Sequence, residues 1–520
     1  MGLVVRGKKR AALFGPCLLV LAFLAVSCSA GNGLKCDLCK VVAKKVANFA
    51  HNTTSLNHTI EKLQGECNTK FEKHPFEKKA CDFIVEKLVG LLPFAYRELS
   101  SLAWDSANLC AVVGICKVNC CPTKTTPEQV HISLSRDPTE MQVMWTTLDD
   151  TKTHSVWWGT DEGHLNQTNA APGASTTYTH FGWVGALHAT KMEKLAPGTQ
   201  YFYKVGDAAG GWSNIFSFRT FHTDAGTAGH PLRVGSVGDM GYAKNSDNTI
   251  ARLSDLIDSG DLDMVVHNGD ISYADGEMSH WDVFMRKIET VAARVPYQVT
   301  PGNHEMWFNF SAYKHRFTMS DEGANDNLFY GVHVGSPQGG VHFVGMDTES
   351  WYDRAHMSKE QVSWIDRELK STKSSPRWTV AYGHRPLYCS NHGGQDIPRG
   401  NTVLRKAVED VLVANSVDLV IQAHEHDYER TFPVYQSQAV STNYSNPTKP
   451  IYVVNGAAGN REKNEKPPGG SESYWPPGLN RTGLISYGIF TISSNSLKWE
   501  QRISADNSLQ DSFEIAKTAP

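Results

Sequence analysis

The pattern of apolar and polar positions changes character twice along the chain. Between Val41 and Leu92, apolar residues recur at helical spacing: Val41, Val42, Val46 and Phe49 in one stretch, and Phe83, Ile84, Leu88, Leu91 and Leu92 in another. From Gln129 to about Thr220 the pattern shortens to Val130–Leu134, Gln142–Trp145, Val156–Trp158 and Tyr201–Val205. Turn clusters such as Ala196-Pro197-Gly198 separate these runs, which predicts an all-β sandwich. From Leu232 onward, apolar strands alternate with amphipathic stretches. The strands are Arg233–Val237, Met264–His267, Pro296–Thr300, Val341–Met346, Trp378–Ala381 and Val417–Gln422; Ser358–Lys370 and Val403–Ala414 have helical spacing. That layout predicts an α/β domain, with ligands at the carboxyl ends of its strands.

The N-terminus adds an expectation about destination. Arg6, Lys8, Lys9 and Arg10 precede an apolar run from Ala11 to Val26, and small residues Cys28, Ser29 and Ala30 follow. This is the layout of a secretory signal peptide over residues 1–30, its apolar run shorter than the ~20 residues a spanning helix needs. It predicts export, to the outside or to a lysosome or vacuole. Sequons at Asn52, Asn57, Asn166, Asn309, Asn443 and Asn480 fit that route as N-glycan acceptors. The net charge is −4 with no basic block beyond the N-terminus, which gives a nucleic-acid partner no support.

Of 11 cysteines, eight lie between Cys36 and Cys121, and Cys389 stands apart. Crowding of that kind in an exported chain predicts a disulfide-stapled module, and six cysteines alone leave fifteen pairings open. Cys36 and Cys39, Cys67 and Cys81, and Cys110 and Cys116, with helical stretches between them, resemble a saposin B-type domain over residues 34–121. The resemblance implies a small all-α fold, the pairs Cys36–Cys116, Cys39–Cys110 and Cys67–Cys81, and contact with lipid or a membrane surface. Cys120 and Cys121 fall outside it.

The chemistry sits at the ends of the α/β strands. In order these give Gly238-Asp239-Met240-Gly241, Gly269-Asp270-Ile271-Ser272-Tyr273, Gly302-Asn303-His304-Glu305, Gly383-His384-Arg385-Pro386 and Ala423-His424-Glu425-His426. A single Gly-Asp pair is usually a turn. Five tips over about 190 residues, each offering an oxygen or imidazole donor, form a metal-ligand constellation. A glycine before most of these ligands is expected to supply a sharp turn.

These five motifs resemble the calcineurin-like metallophosphoesterases. Many of those place His two residues after the first Asp; here Gly241 stands there, and Tyr273 follows Asp270 by three. A phenolate is a hard anionic donor suited to a trivalent ion. That variant set resembles the purple acid phosphatases, with Ala423 in place of their usual Gly. Pro127-Glu128-Gln129-Val130-His131 and Leu195-Ala196-Pro197-Gly198-Thr199 resemble the fibronectin III-like domain of the larger members, here residues 127–222, ahead of a catalytic domain at 231–513.

The resemblance implies Fe(III) on Asp239, Asp270, Tyr273 and His426. It implies a divalent Fe, Zn or Mn ion on Asp270, Asn303, His384 and His424, with Asp270 shared. It further implies an acid phosphatase that attacks phosphate monoesters with a metal-bound hydroxide, and His304 and His392 as the groups that stabilise the transition state or protonate the leaving alcohol. Glu305 and Arg430 are expected to orient ligands. The saposin-like module also admits an acid sphingomyelinase-like lipid phosphodiesterase, and a lipid-binding protein on an inactive catalytic fold.

Overall fold

The computed structural model describes residues 124–518 apart from 171–174, 181–182, 337–339, 350–354, 372–377, 392–401 and 480. The signal peptide, the saposin-like segment, Asn52, Asn57, Asn480 and His392 lie outside the described residues. Asn166, Asn309 and Asn443 lie inside them and are exposed. Among the described residues no helix is long and apolar enough to cross a membrane.

Residues 128–219 form two antiparallel sheets. Glu128–Leu134, Met141–Thr147 and Ala186–Met192 make one; Gln167–Ala170, Ser155–Gly159, Gln200–Asp207, Gly211–Trp212 and Phe216–Arg219 make the other. Val130, Ile132, Val143, Trp145, Val156, Trp158, Tyr203 and Val205 are buried, so Trp145, Trp158 and Tyr203 are core, as the alternating pattern predicts, while Trp157 faces outward.

The remainder is built on two six-stranded sheets. The first runs, in spatial order, Tyr297–Thr300, Met264–Asn268, Leu232–Val237, Ser486–Ile492, Ser496–Ile503 and Leu509–Ala516. Its first three strands are parallel and its last three antiparallel. The second runs Tyr330–Val334, Val341–Gly345, Trp378–Tyr382, Leu419–Gln422, Ile451–Asn455 and Tyr428–Arg430, with the four inner strands parallel. These inner strands are buried along their whole length, which is why they read as continuous apolar runs. Two amides tie the sheets together: Asn268 donates to the Gln422 carbonyl at 3.1 Å and Asn455 to the Ser236 carbonyl at 2.8 Å. Both bonds lie next to strand ends that carry the candidate ligands.

The β domain is fixed to the α/β domain by buried polar contacts. The helix Ser279–Ala292 turns Trp281, Phe284, Met285, Ile288 and Val291 inward and leaves Asp282 and Glu289 facing the first β-strand. Buried Arg316 donates to Gln129 Oε1 and Asp282 Oδ1, both at 2.7 Å, and to the Tyr178 hydroxyl at 2.9 Å. Every one of its nitrogens has an acceptor, which a buried guanidinium requires.

Glu289 accepts the Val130 amide at 3.1 Å, and burial pushes its carboxyl up to about 7 from 4.5. Below pH 4.5 the folded and unfolded chains both carry its proton; between 4.5 and about 7 the unfolded chain releases it while the folded chain keeps it, so stability falls across that window and levels off above. Glu289→Gln keeps the acceptor and removes that cost. It is expected to raise stability by on the order of 1–2 kcal/mol at pH 8 and to change nothing below pH 4.5, read as unfolding midpoints across pH.

Candidate metal centre and its family

Strand ends deliver the predicted ligands to one crevice, with an unusual backbone. Asp239, Asp270, Tyr273 and His424 have φ of 56°, 49°, 55° and 71°, the left-handed region that non-glycine residues seldom occupy. Strain of this kind costs on the order of 1–3 kcal/mol per residue and persists where the surroundings hold it for a purpose. The sequence reading gave the turning role to the preceding glycines. The structure bears this out at Gly269, with φ of 83°, and corrects it at Gly238 and Gly302, where the following residues or their neighbours turn instead. The glycines are needed for room: a Cβ on Gly302 would lie 2.2 Å from Asp270 Oδ1, and one on Gly269 would lie 2.5 Å from the His384 ring.

The donors form two groups. In one, the Tyr273 hydroxyl lies 3.1 Å from Asp239 Oδ1 and 3.0 Å from His426 Nε2, with His426 Nε2 3.4 Å from Asp239. In the other, His384 Nε2 lies 3.1 Å from Asp270 Oδ2, 3.2 Å from Asn303 Oδ1 and 3.1 Å from His424 Nδ1. Tyr273, Asp239, Asp270 and His384 are buried.

Tautomers show what such groups can hold. His384 Nδ1 faces the Asn268 carbonyl at 3.0 Å and His426 Nδ1 faces the Lys463 carbonyl at 3.1 Å. A carbonyl only accepts, so both Nδ1 atoms carry hydrogen. In the neutral rings Nε2 is then a lone pair aimed at carboxylate, amide and phenol oxygens. Lone pairs converging from two imidazoles, two carboxylates, an amide and a phenol fit metal cations.

Electrostatics agree. Burial opposes a charge on His384, yet Asp270 raises it to about 10, so the pocket draws in a proton where a cation fits. Burial, with His384 beside it, keeps His424 well below the usual imidazole range and therefore neutral. Burial, with Asp239 and Asp270 adding repulsion, holds the Tyr273 phenol far above its ordinary value until a cation compensates.

Supporting residues surround the ligands. Glu305 accepts the Ile271 amide at 3.0 Å and the Gly302 amide at 2.9 Å, which locks two ligand loops together. Thr348 Oγ1 accepts the His384 and Arg385 amides, and Arg385 pairs with buried Glu349 while lying 3.4 Å from His424 Nε2. Arg430 differs from expectation: its partners are Asp511, at 2.6 Å, and Tyr444, so it braces the C-terminal strand and touches no ligand. Cys389 is buried.

His304 lies at the rim with its ring 4.1 Å from that of Tyr273 and Nε2 3.7 Å from Asp270. Its Nδ1 bonds Asp275, which Arg461 also holds, and Glu462 lies 3.7 Å from Nε2. The sequence reading missed Asp275, Glu349 and Arg461. The turn-like Asp275-Gly276 pair carried no sign of its partner 29 positions away.

Sequence comparison decides the family. The profile of the purple acid phosphatase N-terminal domain matches residues 127–220, and that of calcineurin-like phosphoesterases matches 232–428. The iron/zinc purple acid phosphatase-like C-terminal profile matches 449–512. Acid phosphatase type 7 of Homo sapiens is 34% identical over 363 residues, spanning 65% of this chain and 79% of that protein. The chain belongs to the purple acid phosphatase family. It is a metal-dependent acid phosphatase. Purple acid phosphatase 21 of Arabidopsis thaliana is 33% identical over 353 residues, 65% of this chain and 73% of its own. Among solved structures, a purple acid phosphatase from yellow lupin seeds superposes with a TM-score of 0.64 at 25% identity, over 76% of this chain and 75% of that one. PhoD shares the fold, with a TM-score of 0.52 at 12% identity over 76% of this chain and 94% of its own.

Proposed function

We propose that this purple acid phosphatase hydrolyses phosphate monoesters at a two-metal centre of one Fe(III) and one divalent ion (Fe, Zn or Mn). Asp239, Tyr273 and His426 would hold the iron, Asn303, His384 and His424 the divalent ion, and Asp270 both. The observation that carries this reading is the Tyr273 oxygen, set between Asp239 and His426, since an anionic phenolate suits a trivalent ion. When bound, the metal pair supplies Lewis acidity toward a phosphoryl oxygen and acidifies an attacking water.

The protein's own groups do the rest. Asp275 accepts from His304 Nδ1 and favours the charged ring, whose Nε2–H then faces the crevice. Burial opposes the charge on that ring, and the carboxylates of Asp270 and Asp275 raise it. His304 thus holds a proton at the place where a leaving alkoxide would form. His392 is assigned a share of this task on the family resemblance alone. Glu305 and Glu349 keep the ligand loops and Arg385 in place.

The signal-like N-terminus and the sequons support secretion or delivery to a lysosome or vacuole. The saposin-like cysteine pattern supports contact with a lipid surface.

Metal analysis and ester selectivity test the reading. Two ions per chain, one of them iron, are expected, with kcat/KM for p-nitrophenyl phosphate at least about a hundredfold above that for its bis-ester, some 3 kcal/mol of discrimination. Zinc alone with preference for the diester would favour the lipid phosphodiesterase instead.

A further inference from the structure

A second group of metal-type donors lies in the β domain, outside the catalytic crevice. Asp150, His154 and His188 each place a ligand atom within 4.8 Å of the others. His188 stands on the strand Ala186–Met192, opposite Trp145 on Met141–Thr147 and stacked on its ring. His154 directly precedes the strand Ser155–Gly159 of the facing sheet. Both imidazoles are buried, at 5% and 3% exposure, and their Nδ1 atoms approach to 2.7 Å.

Surrounding bonds fix the His188 tautomer. The Thr147 hydroxyl gives its hydrogen to the Asp149 carbonyl at 2.8 Å, so it can only accept from His188 Nε2 at 2.7 Å. His188 Nε2 therefore carries the proton, and Nδ1 is a lone pair facing the second imidazole. A hydrogen bond on the far ring nitrogen is what orients metal-binding histidines. Asp150 is held ready in the same way, its Oδ1 accepting from the Thr151 amide and the Ser175 hydroxyl, both at 2.8 Å. Its exposure leaves a fourth position open to water.

We propose that Asp150, His154 and His188 bind a divalent ion of the zinc class, which clips the two sheets of the β domain together. Two imidazoles and a carboxylate form a common donor set for zinc. Zn–N bonds of about 2.0–2.1 Å in a tetrahedron set the nitrogens ~3.3 Å apart, so the rings must part by ~0.6 Å. His154 is at the end of the loop that follows Thr147 and can supply that movement. Without an ion, a single Nδ1–H of His154 donating to His188 would hold the pair. On binding the ion, His154 takes its other tautomer, with the hydrogen on Nε2, so that both Nδ1 atoms offer lone pairs.

The test uses the full-length holoenzyme, equilibrated with buffered Zn(II), dialysed and analysed for metal. Wild type is expected to retain one more zinc per chain than His154→Gln. Asp150→Asn alters an exposed residue and threatens folding least, and it is expected to weaken zinc binding at least about tenfold. Added zinc should raise the unfolding midpoint of wild type but of neither variant, with phosphate release the same in all three. Equal zinc retention in wild type and both variants, or an equal zinc-induced shift in all, overturns the proposal.

Discussion

Asp270→Asn is expected to lower kcat/KM by about 10³- to 10⁴-fold and to strip metal from the purified protein. The reason is position. Asp270 is buried, 3.1 Å from His384, with its other oxygen accepting the His304 amide at 2.9 Å. Its charge also acts on Asp239 and His426 in the other donor group. An amide keeps the shape but removes the negative charge that both groups share. Loss of several kcal/mol of charge stabilisation corresponds to three or four decades in rate. Kinetics with metal analysis on the same preparation, checked for folding by circular dichroism, measures it. Full activity with undiminished metal would contradict the shared role of this carboxylate.

The second large effect falls on His304, and the substrate decides its size. His304→Gln is expected to reduce kcat about 10²- to 10⁴-fold for alkyl phosphates, whose alkoxides need a proton, while metal content stays unchanged. For p-nitrophenyl phosphate the loss should be under about tenfold, because p-nitrophenolate leaves as a stable anion. A series of esters graded by leaving-group acidity reads this directly. An equal loss across the series would mean that His304 acts on the phosphoryl group rather than as an acid.

How much of this was legible in the sequence depends on how local each signal is. The buried parallel strands were plain, because strands covered on both faces are apolar throughout: Met264–Asn268, Trp378–Tyr382 and Leu419–Gln422 differ from the expected runs by two residues or fewer at either end. The helix expected at Ser358–Lys370 is found at Ala355–Ser371. The C-terminal strands were not separated, although Leu497, Trp499, Gln501 and Ile503 alternate inward along Ser496–Ile503. A buried glutamine blurs that alternation. The pairing of Ser486–Ile492 with Leu232–Val237 joins segments some 250 residues apart, and no local pattern encodes it.

At the site, residue chemistry and order picked out donors that the fold brings together, because metal binding demands particular atoms. Their left-handed backbone at Asp239, Asp270, Tyr273 and His424 could not be read, since propensity would place glycine there. Asp275 and Glu349 escaped for a different reason. Their roles are relations to His304 and Arg385, and only the fold creates those relations.

The most direct test of the central claim is a visible absorption spectrum of the purified enzyme beside that of Tyr273→Phe. A tyrosinate bound to Fe(III) absorbs broadly in the visible, so wild type should be coloured, and the variant should lose the band because its ring has no oxygen to offer. A wild-type protein that is colourless in its oxidised, iron-loaded state, or a band that survives in Tyr273→Phe, would contradict the tyrosinate–iron centre.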